Sequence, residues 1–315
     1  MKFSFVLPAY KSLFFRESLE SIISQTYVDF ELIIVNDASP DDLGLIVDSF
    51  NDSRIRYYVN EKNIGRTNLV AQWNNCIKLA KGDYIILASD DDVFSPLYLE
   101  KMDELIQKYP DVNVFRPRVQ RIDENGKTIT VESCLAEQVS SLEYLYAWVH
   151  EWIGSGIPFY CFKAEALKEL GGIEYYPFAW FSDDDTVLKL IKDKMVTSQD
   201  ILFSFRTSGL NISSRKQSTI ELKAKLFATM KFYEFINSYI NTIVCIDDVS
   251  ICYKNKIVEI LPVFFREKRI KDQICNASIV TVLSVFPMLL KFDFIRVKHL
   301  VKFILYYVRK SFCLG

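Results

Sequence analysis

The sequence predicts an α/β fold, a mostly parallel sheet flanked by helices, followed by a C-terminal helical region. Three observations predict it. Short apolar runs rich in Ile, Val, Phe and Tyr recur at residues 3–7, 30–35, 55–59 and 84–88. Stretches of helical period separate them, and repeated strand–helix–strand units imply parallel pairing. From about residue 214 onward strand-like runs become scarce and long helical patterns take over, as at residues 219–240.

Each element can be justified in order. Residues 3–7 are too short for a signal-peptide core and run directly into Pro8, so they read as a buried first strand. In the next stretch Leu19, Ile22, Ile23 and Thr26 recur at helical spacing, and residues 30–35 form the second strand. Residues 67–80 predict a helix with Leu69, Trp73, Cys76 and Ala80 on one stripe. Another helix follows Pro96, with Ser95 as its N-cap. A boundary near residues 210–214 divides a domain at 1–212 from a helical region at 213–315. In sheets of this kind ligands bind beyond the carboxyl ends of the strands. The polar tips there are Pro8-Ala9-Tyr10, Asn36-Asp37-Ala38-Ser39 and Ser89-Asp90-Asp91-Asp92, all on one edge.

Charge and cysteine usage narrow the function classes. The 315 residues carry a formal net charge of −2, which argues against a dedicated nucleic-acid binder. Residues 291–310 nevertheless hold six Lys/Arg and one Asp. Stepping 100° per residue puts Lys298, Lys302 and Arg309 opposite Val297, Leu300, Val301, Ile304 and Val308. Such a helix suits an anionic membrane surface; docking on the preceding domain is the competing reading. Residues 279–290 are too few to span a bilayer and contain Pro287. Seven scattered cysteines without metal-like spacing read as reduced thiols of a cytoplasmic protein, at most peripheral on the inner face of the cell membrane. The Asn211-Ile212-Ser213 sequon then carries no meaning.

Three adjacent acids at a strand end repel one another unless a cation compensates. Mg²⁺ and Mn²⁺ prefer oxygen ligands and bind one or two carboxylates together with substrate phosphates. Alone, Asp90–Asp92 could equally be a solvated acidic turn, and Asp37 a helix cap. Taken with their neighbours, these tips strongly resemble family 2 inverting glycosyltransferases of the GT-A fold, a Rossmann-like α/β architecture. The resemblance rests on Val6-Leu7-Pro8-Ala9-Tyr10, on Ser24-Gln25-Thr26-Tyr27 with Phe30-Glu31-Leu32-Ile33-Ile34-Val35-Asn36-Asp37-Ala38-Ser39, and on Asn63-Ile64-Gly65. Asn74, Gly82-Asp83-Tyr84-Ile85 and Leu87-Ala88-Ser89-Asp90-Asp91 continue it in order. It covers about residues 1–210.

The resemblance implies that Asp37 binds the donor nucleotide with Pro8, Ala9, Tyr10, Gly65 and Asn74. It places Asp90 at the ribose or metal and Asp91 on a divalent metal, Mn²⁺ or Mg²⁺. Ala88 stands where the motif commonly has aspartate, and Trp73 where an arginine is frequent, which leaves Arg66 as a substitute contact. Farther on, Gly171-Gly172-Ile173 precedes Ser182-Asp183-Asp184-Asp185. In the family an aspartate at the start of this helix is the catalytic base; alignment places Asp183 on it, with Asp184 one residue away. The implied activity is transfer of a single sugar from a nucleotide-diphosphate sugar, UDP-linked as a first candidate, to a saccharide or lipid-linked acceptor of the kind used in surface polysaccharide synthesis. The processive signature Q-x-x-R-W is missing. Competing readings are a nucleotidyltransferase, which lacks its Gly-rich basic loop here, and a silent carbohydrate- or membrane-binding module. His150 reads as a packed residue, and Ser208 replaces a late metal-binding histidine. Trp180 and Phe181 are either packing residues or a sugar-stacking wall.

Overall fold

The computed structural model describes residues 1–209, 217–275 and 277–313. The boundary expected near residues 210–214 and the Asn211 sequon lie outside the described residues. The chain divides into two compact units: residues 1–144, 151–175 and 182–208 form one, and residues 145–150, 176–181 and 209–315 the other.

The first unit is built on a mixed sheet. Its strands are β1 (Phe3–Ala9), β2 (Phe30–Asn36), β3 (Ile55–Val59), β4 (Tyr84–Leu87), β5 (Val93–Phe94), β6 (Val114–Ile122), β7 (Thr128–Val131), β8 (Gln138–Ser140), β9 (Cys161–Lys163) and β10 (Lys194–Arg206). The main path runs β3-β2-β1-β4-β9-β6-β10-β5. The four strands expected from sequence form its parallel half, β3-β2-β1-β4. Strand β2 is buried over its whole length, as a parallel strand covered on both faces must be, whereas edge strand β3 is half exposed. The remainder is mixed: β9 runs antiparallel to β4 and β6, and β10 is parallel to β6.

Two helices place the loops that matter. The helix Phe15–Ile23 buries Phe15, Leu19 and Ile22. The helix Leu69–Ile77 is capped by Asn68, whose side chain accepts from the Ala71 N–H. Its buried face carries Val70, Gln72, Cys76 and Ile77; Cys76 comes from the expected stripe, and the Gln72 Oε1 accepts from Asn60 Nδ2 at 3.0 Å. Ser95 does not cap the helix Tyr98–Lys108 by side chain; Leu97 stands at the cap, and the Ser95 hydroxyl accepts from Leu97 N at 3.3 Å.

In the second unit the helices Thr219–Thr242, Ile279–Leu289 and Val297–Cys313 share a core that includes Leu222, Leu226, Val282, Leu289, Leu300 and Phe303. The last helix buries Leu300 and Phe303, while Val297 and Val301 are 65% and 50% exposed. Leu300 comes from the apolar face of the wheel, whose Val297 and Val301 stay exposed. Phe303, left off that wheel, is one of the residues that anchor it. No described helix is long and apolar enough to cross a membrane. Cys76, Cys134, Cys161, Cys245 and Cys252 are free thiols.

Candidate active site

Strands β2, β1 and β4 are neighbours in the parallel half, so their carboxyl ends deliver Asp37, Tyr10 and Asp90 to one edge. The β1 and β4 tips are joined directly. The Asp90 carboxylate accepts the backbone N–H groups of Tyr10 at 2.8 Å and Lys11 at 2.7 Å. The Lys11 ammonium lies 2.5 Å from Asp91 Oδ2 and 3.3 Å from Asp90 Oδ1. Burial works against that ammonium, but the two carboxylates outweigh it and hold the lysine pKa above its ordinary value. Burial likewise pushes the Asp90 carboxyl up against the opposing pull of Lys11.

Asp92 faces inward. It is fully buried, bonded by the Ser89 hydroxyl, and accepts the Arg206 N–H at 2.8 Å. Burial and the neighbouring Asp91 charge push its pKa up to about 7. Arg206, buried at the end of β10, donates to the Asp91 carbonyl at 2.9 Å, pairs with Glu17 at 2.6 Å and lies over the Phe14 ring. Sequence reasoning overlooked both Lys11 and the structural part of Arg206. The only signal was a basic residue inside an alternating apolar run, Phe203-Ser204-Phe205-Arg206.

Asp37 is buried and grips the turn expected to meet the nucleotide. Its carboxylate accepts from Asn60 Nδ2 at 2.7 Å, Ile64 N at 2.9 Å and Gly65 N at 2.7 Å. A side chain at Gly65 would press its Cβ to 2.9 Å from Asp37 Oδ2, so only glycine lets the turn close this far. Arg66 is exposed on that turn, and Tyr10 is exposed at the β1 tip. Asn74 is occupied differently from the expectation at the donor. Its carboxamide donates to the Ile173 carbonyl at 2.9 Å and accepts the Ile173 N–H at 2.7 Å. Gly172 precedes that clamp with φ +101, and a Cβ there would overlap the Asn74 amide.

The clamp leads to the second acidic cluster, since Glu174 N bonds Thr186 Oγ1 at 2.9 Å in the helix Ser182–Leu190. Three acids open this helix, where the macrodipole favours negative charge. Their surroundings differ. Asp185 is paired with Lys189 at 3.2 Å. Asp184 is buried within electrostatic reach of the Tyr144 and Tyr160 phenols, which bond each other at 2.8 Å. Asp183 alone keeps partial exposure, and its Oδ1 accepts the Asp184 N–H at 3.0 Å. Desolvation, then the charge of Asp184, raises its pKa well above the ordinary carboxylate value.

Among the described residues no group of three or more His, Cys, Asp or Glu is placed to hold a metal. Asp90 and Asp91 nonetheless fit a hard divalent cation in donor chemistry, as the one or two carboxylates that join phosphate oxygens around Mg²⁺ or Mn²⁺. His150 is packed: it bonds the Tyr146 carbonyl at 2.7 Å and lies against the Tyr146 ring. Phe181 is also a packing residue, stacked on Phe232 at 4.5 Å.

The family described as Glycosyl transferase family 2 matches residues 4–170, more than half of the chain. A curated relative, an uncharacterized glycosyltransferase of Haemophilus influenzae, is 28% identical over 64% of this chain and 67% of its own length. Glycosyltransferase GlyG of Streptococcus pneumoniae is 27% identical over 64% of this chain and 70% of its own. The S. aureus TarS structure in complex with UDP-GlcNAc superposes with TM-score 0.63 at 18% identity, covering 90% of this chain and 83% of that one. The Pyrobaculum calidifontis mannosyltransferase PcManGT, solved with GDP-Man and Mn²⁺, gives 0.54 at 14% identity, covering 98% and 87%. Fold and relatives together define a glycosyltransferase of GT-A architecture. The chain belongs to glycosyl transferase family 2.

Proposed function

We propose that this enzyme transfers a single sugar, with inversion and with help from a divalent metal, from a nucleotide-diphosphate sugar to a hydroxyl of a glycan or lipid-linked acceptor in surface polysaccharide synthesis. One observation carries the reading: the tips of three neighbouring parallel strands bring Asp37, Tyr10 and Asp90 to one edge, with Asp90 holding the β1 tip through two N–H groups. That the solved neighbours are complexes with UDP-GlcNAc and with GDP-Man supports a nucleotide-sugar donor, UDP-linked as the first candidate.

In this reading Asp37 and the turn it grips, with Gly65 and Arg66, receive the base and ribose alongside Pro8, Ala9 and Tyr10. Asn74 positions the turn before the second acidic helix. Asp183 accepts the proton of the acceptor hydroxyl as its oxygen bonds the anomeric carbon, while the sugar–diphosphate bond breaks on the opposite face. Asp184, buried beside two phenols, supports Asp183 in place. A Mn²⁺ or Mg²⁺ ion held by Asp91, with Asp90 beside it, would supply charge stabilisation to the departing diphosphate. In this reading residues 1–212, without the segments 145–150 and 176–181 that group with the second unit, are the catalytic domain, and residues 213–315 the helical region. Exposed Val297, Val301 and Leu305 beside exposed Lys298 and Lys302 suit a cytoplasmic, anionic membrane surface. Failure to sediment with anionic liposomes at low salt removes that last element.

The decisive experiment screens nucleotide-sugars by thermal shift with and without Mn²⁺, then follows the hit with an acceptor panel and the anomeric configuration of the product. Ligand bound to the native state raises apparent stability. A retained anomeric configuration overturns the single-displacement reading, and no stabilisation by any nucleotide-sugar overturns the donor site.

A further inference from the structure

The β1 tip contains a cation of its own. The Lys11 main chain is pinned to Asp90, and its side chain returns to the same acidic turn at 2.5 Å from Asp91 Oδ2 and 3.3 Å from Asp90 Oδ1. Both carboxylate side chains are 7% exposed and the lysine 35%, so this pair is sheltered from bulk water. The ammonium thus lies on Asp91 Oδ2, one of the oxygens a divalent ion would use. The two cations exclude each other by contact and by charge.

We infer that Lys11 is a resident counter-cation of the Asp90–Asp91 turn, displaced when a divalent metal arrives, so that metal binding waits on the nucleotide diphosphate. The inference rests on the metal-dependent reading above and adds a residue to it. A metal alone strips Lys11 of its partners and leaves an ammonium in a sheltered site. A metal arriving with a diphosphate does not, because the added negative charge gives the released ammonium a new partner. The flexible four-carbon stem permits that swing while Asp90 keeps the backbone fixed. Coupling of this kind is reciprocal, so the metal must favour the nucleotide as much as the nucleotide favours the metal. In the metal-free, nucleotide-free enzyme Lys11 also relieves the repulsion between the adjacent acids, which keeps the turn folded while it waits.

Mn²⁺ binding to the full chain, read by the electron paramagnetic resonance of the free ion, tests this without any turnover. Wild type, Lys11→Met, Lys11→Gln and Lys11→Arg are titrated with Mn²⁺ alone and again with UDP, with circular dichroism as the check on folding. Lys11→Met is expected to bind Mn²⁺ alone at least tenfold more tightly than wild type, and adding Asp91→Asn should erase that gain. Lys11→Arg keeps the charge and should bind as weakly as wild type, and Lys11→Gln, which also removes the charge, should show the gain of the methionine variant and keeps the test decisive if that one folds poorly. Lys11→Met and wild type agreeing within twofold in Mn²⁺ alone, while wild type binds the ion with UDP, overturns the role of Lys11 and leaves the metal site standing. No Mn²⁺ binding by any variant, with UDP or with the donor returned by the thermal-shift screen, overturns the metal reading and this inference together.

Discussion

The two acidic clusters of the catalytic unit are both runs of three aspartates at the start of a turn or helix, yet they are wired in opposite ways. At Asp90–Asp92 each carboxylate is held, by two backbone N–H groups, by Lys11, or by Ser89 and the Arg206 N–H. At Asp183–Asp185 the neighbours are restrained by Lys189 or by burial near phenols, and one acid retains contact with solvent. The first arrangement suits a group that holds charge in place. The second suits a group that exchanges a proton. The largest effect that could break this contrast is chemical: Asp183→Asn should lower kcat by about 10²–10⁴-fold, the usual contribution of a general base. Nucleotide affinity should stay within about twofold of wild type on the same scale of argument. Asp184→Asn should cost far less. Initial-rate assays on both variants check this, and equal losses would erase the distinction between the two acids.

The next effect concerns stability. Arg206 is 1% exposed and joins the Asp91 carbonyl, Glu17 and the Phe14 ring, with further bonds to the carbonyls of Asp123 and Glu124. Arg206→Met removes the guanidinium and leaves the three carbonyls without their donor, while Glu17 is half exposed and stays solvated, so urea unfolding should show a loss of about 1–3 kcal/mol, the cost of buried polar groups left unpaired. A loss below about 1 kcal/mol would mean that the acidic turn stands without its staple.

What could be read in advance follows from range in sequence. The parallel half of the sheet announced itself because each strand is a short apolar run ended by turn-formers, a local signal. The acidic tips were legible for the same reason. Lys11 meeting Asp91 and Arg206 meeting Asp92 are pairings across 80 and 114 positions, which no local period encodes. Strands β5, β8 and β9 are two or three residues long, too brief for alternation to register. Asn74 was expected at the donor, and its side chain is taken up by the Ile173 backbone, a partner that only the folded chain supplies. The helix Val297–Cys313 was also found. Its buried face joins Leu300, which the wheel had on its apolar side, to Phe303, which a wheel read for spacing alone left off.

Gly172 sharpens the comparison from the backbone side. With φ +101 and the Asn74 amide where a Cβ would stand, Gly172→Ala should cost about 1–3 kcal/mol and loosen the clamp behind Asp183. Thermal unfolding measures the cost. A falling kcat with unchanged nucleotide affinity would show that the disturbance reaches the second cluster and spares the first.

The smallest expected effect is a displacement of a pH limb. Asp183 is raised above the ordinary aspartate value of about 3.9 by desolvation and by Asp184. A general base works only when ionised, so kcat/KM should fall as pH drops through this raised value, giving an acid limb above the ordinary one. The stability term has the opposite sign. A carboxyl whose folded pKa exceeds its unfolded pKa is protonated in the native state first, so its stabilising contribution is complete below the unfolded value and is lost as pH rises through the folded one. Across one pH window, then, activity should rise while this residue's contribution to stability declines. Asp183→Asn removes both changes, and Asp184→Asn should move the limb downward by deleting the neighbouring charge. An acid limb at the ordinary aspartate value, or one that Asp184→Asn leaves in place, would show that the second cluster does not tune its exposed member in the way its wiring implies.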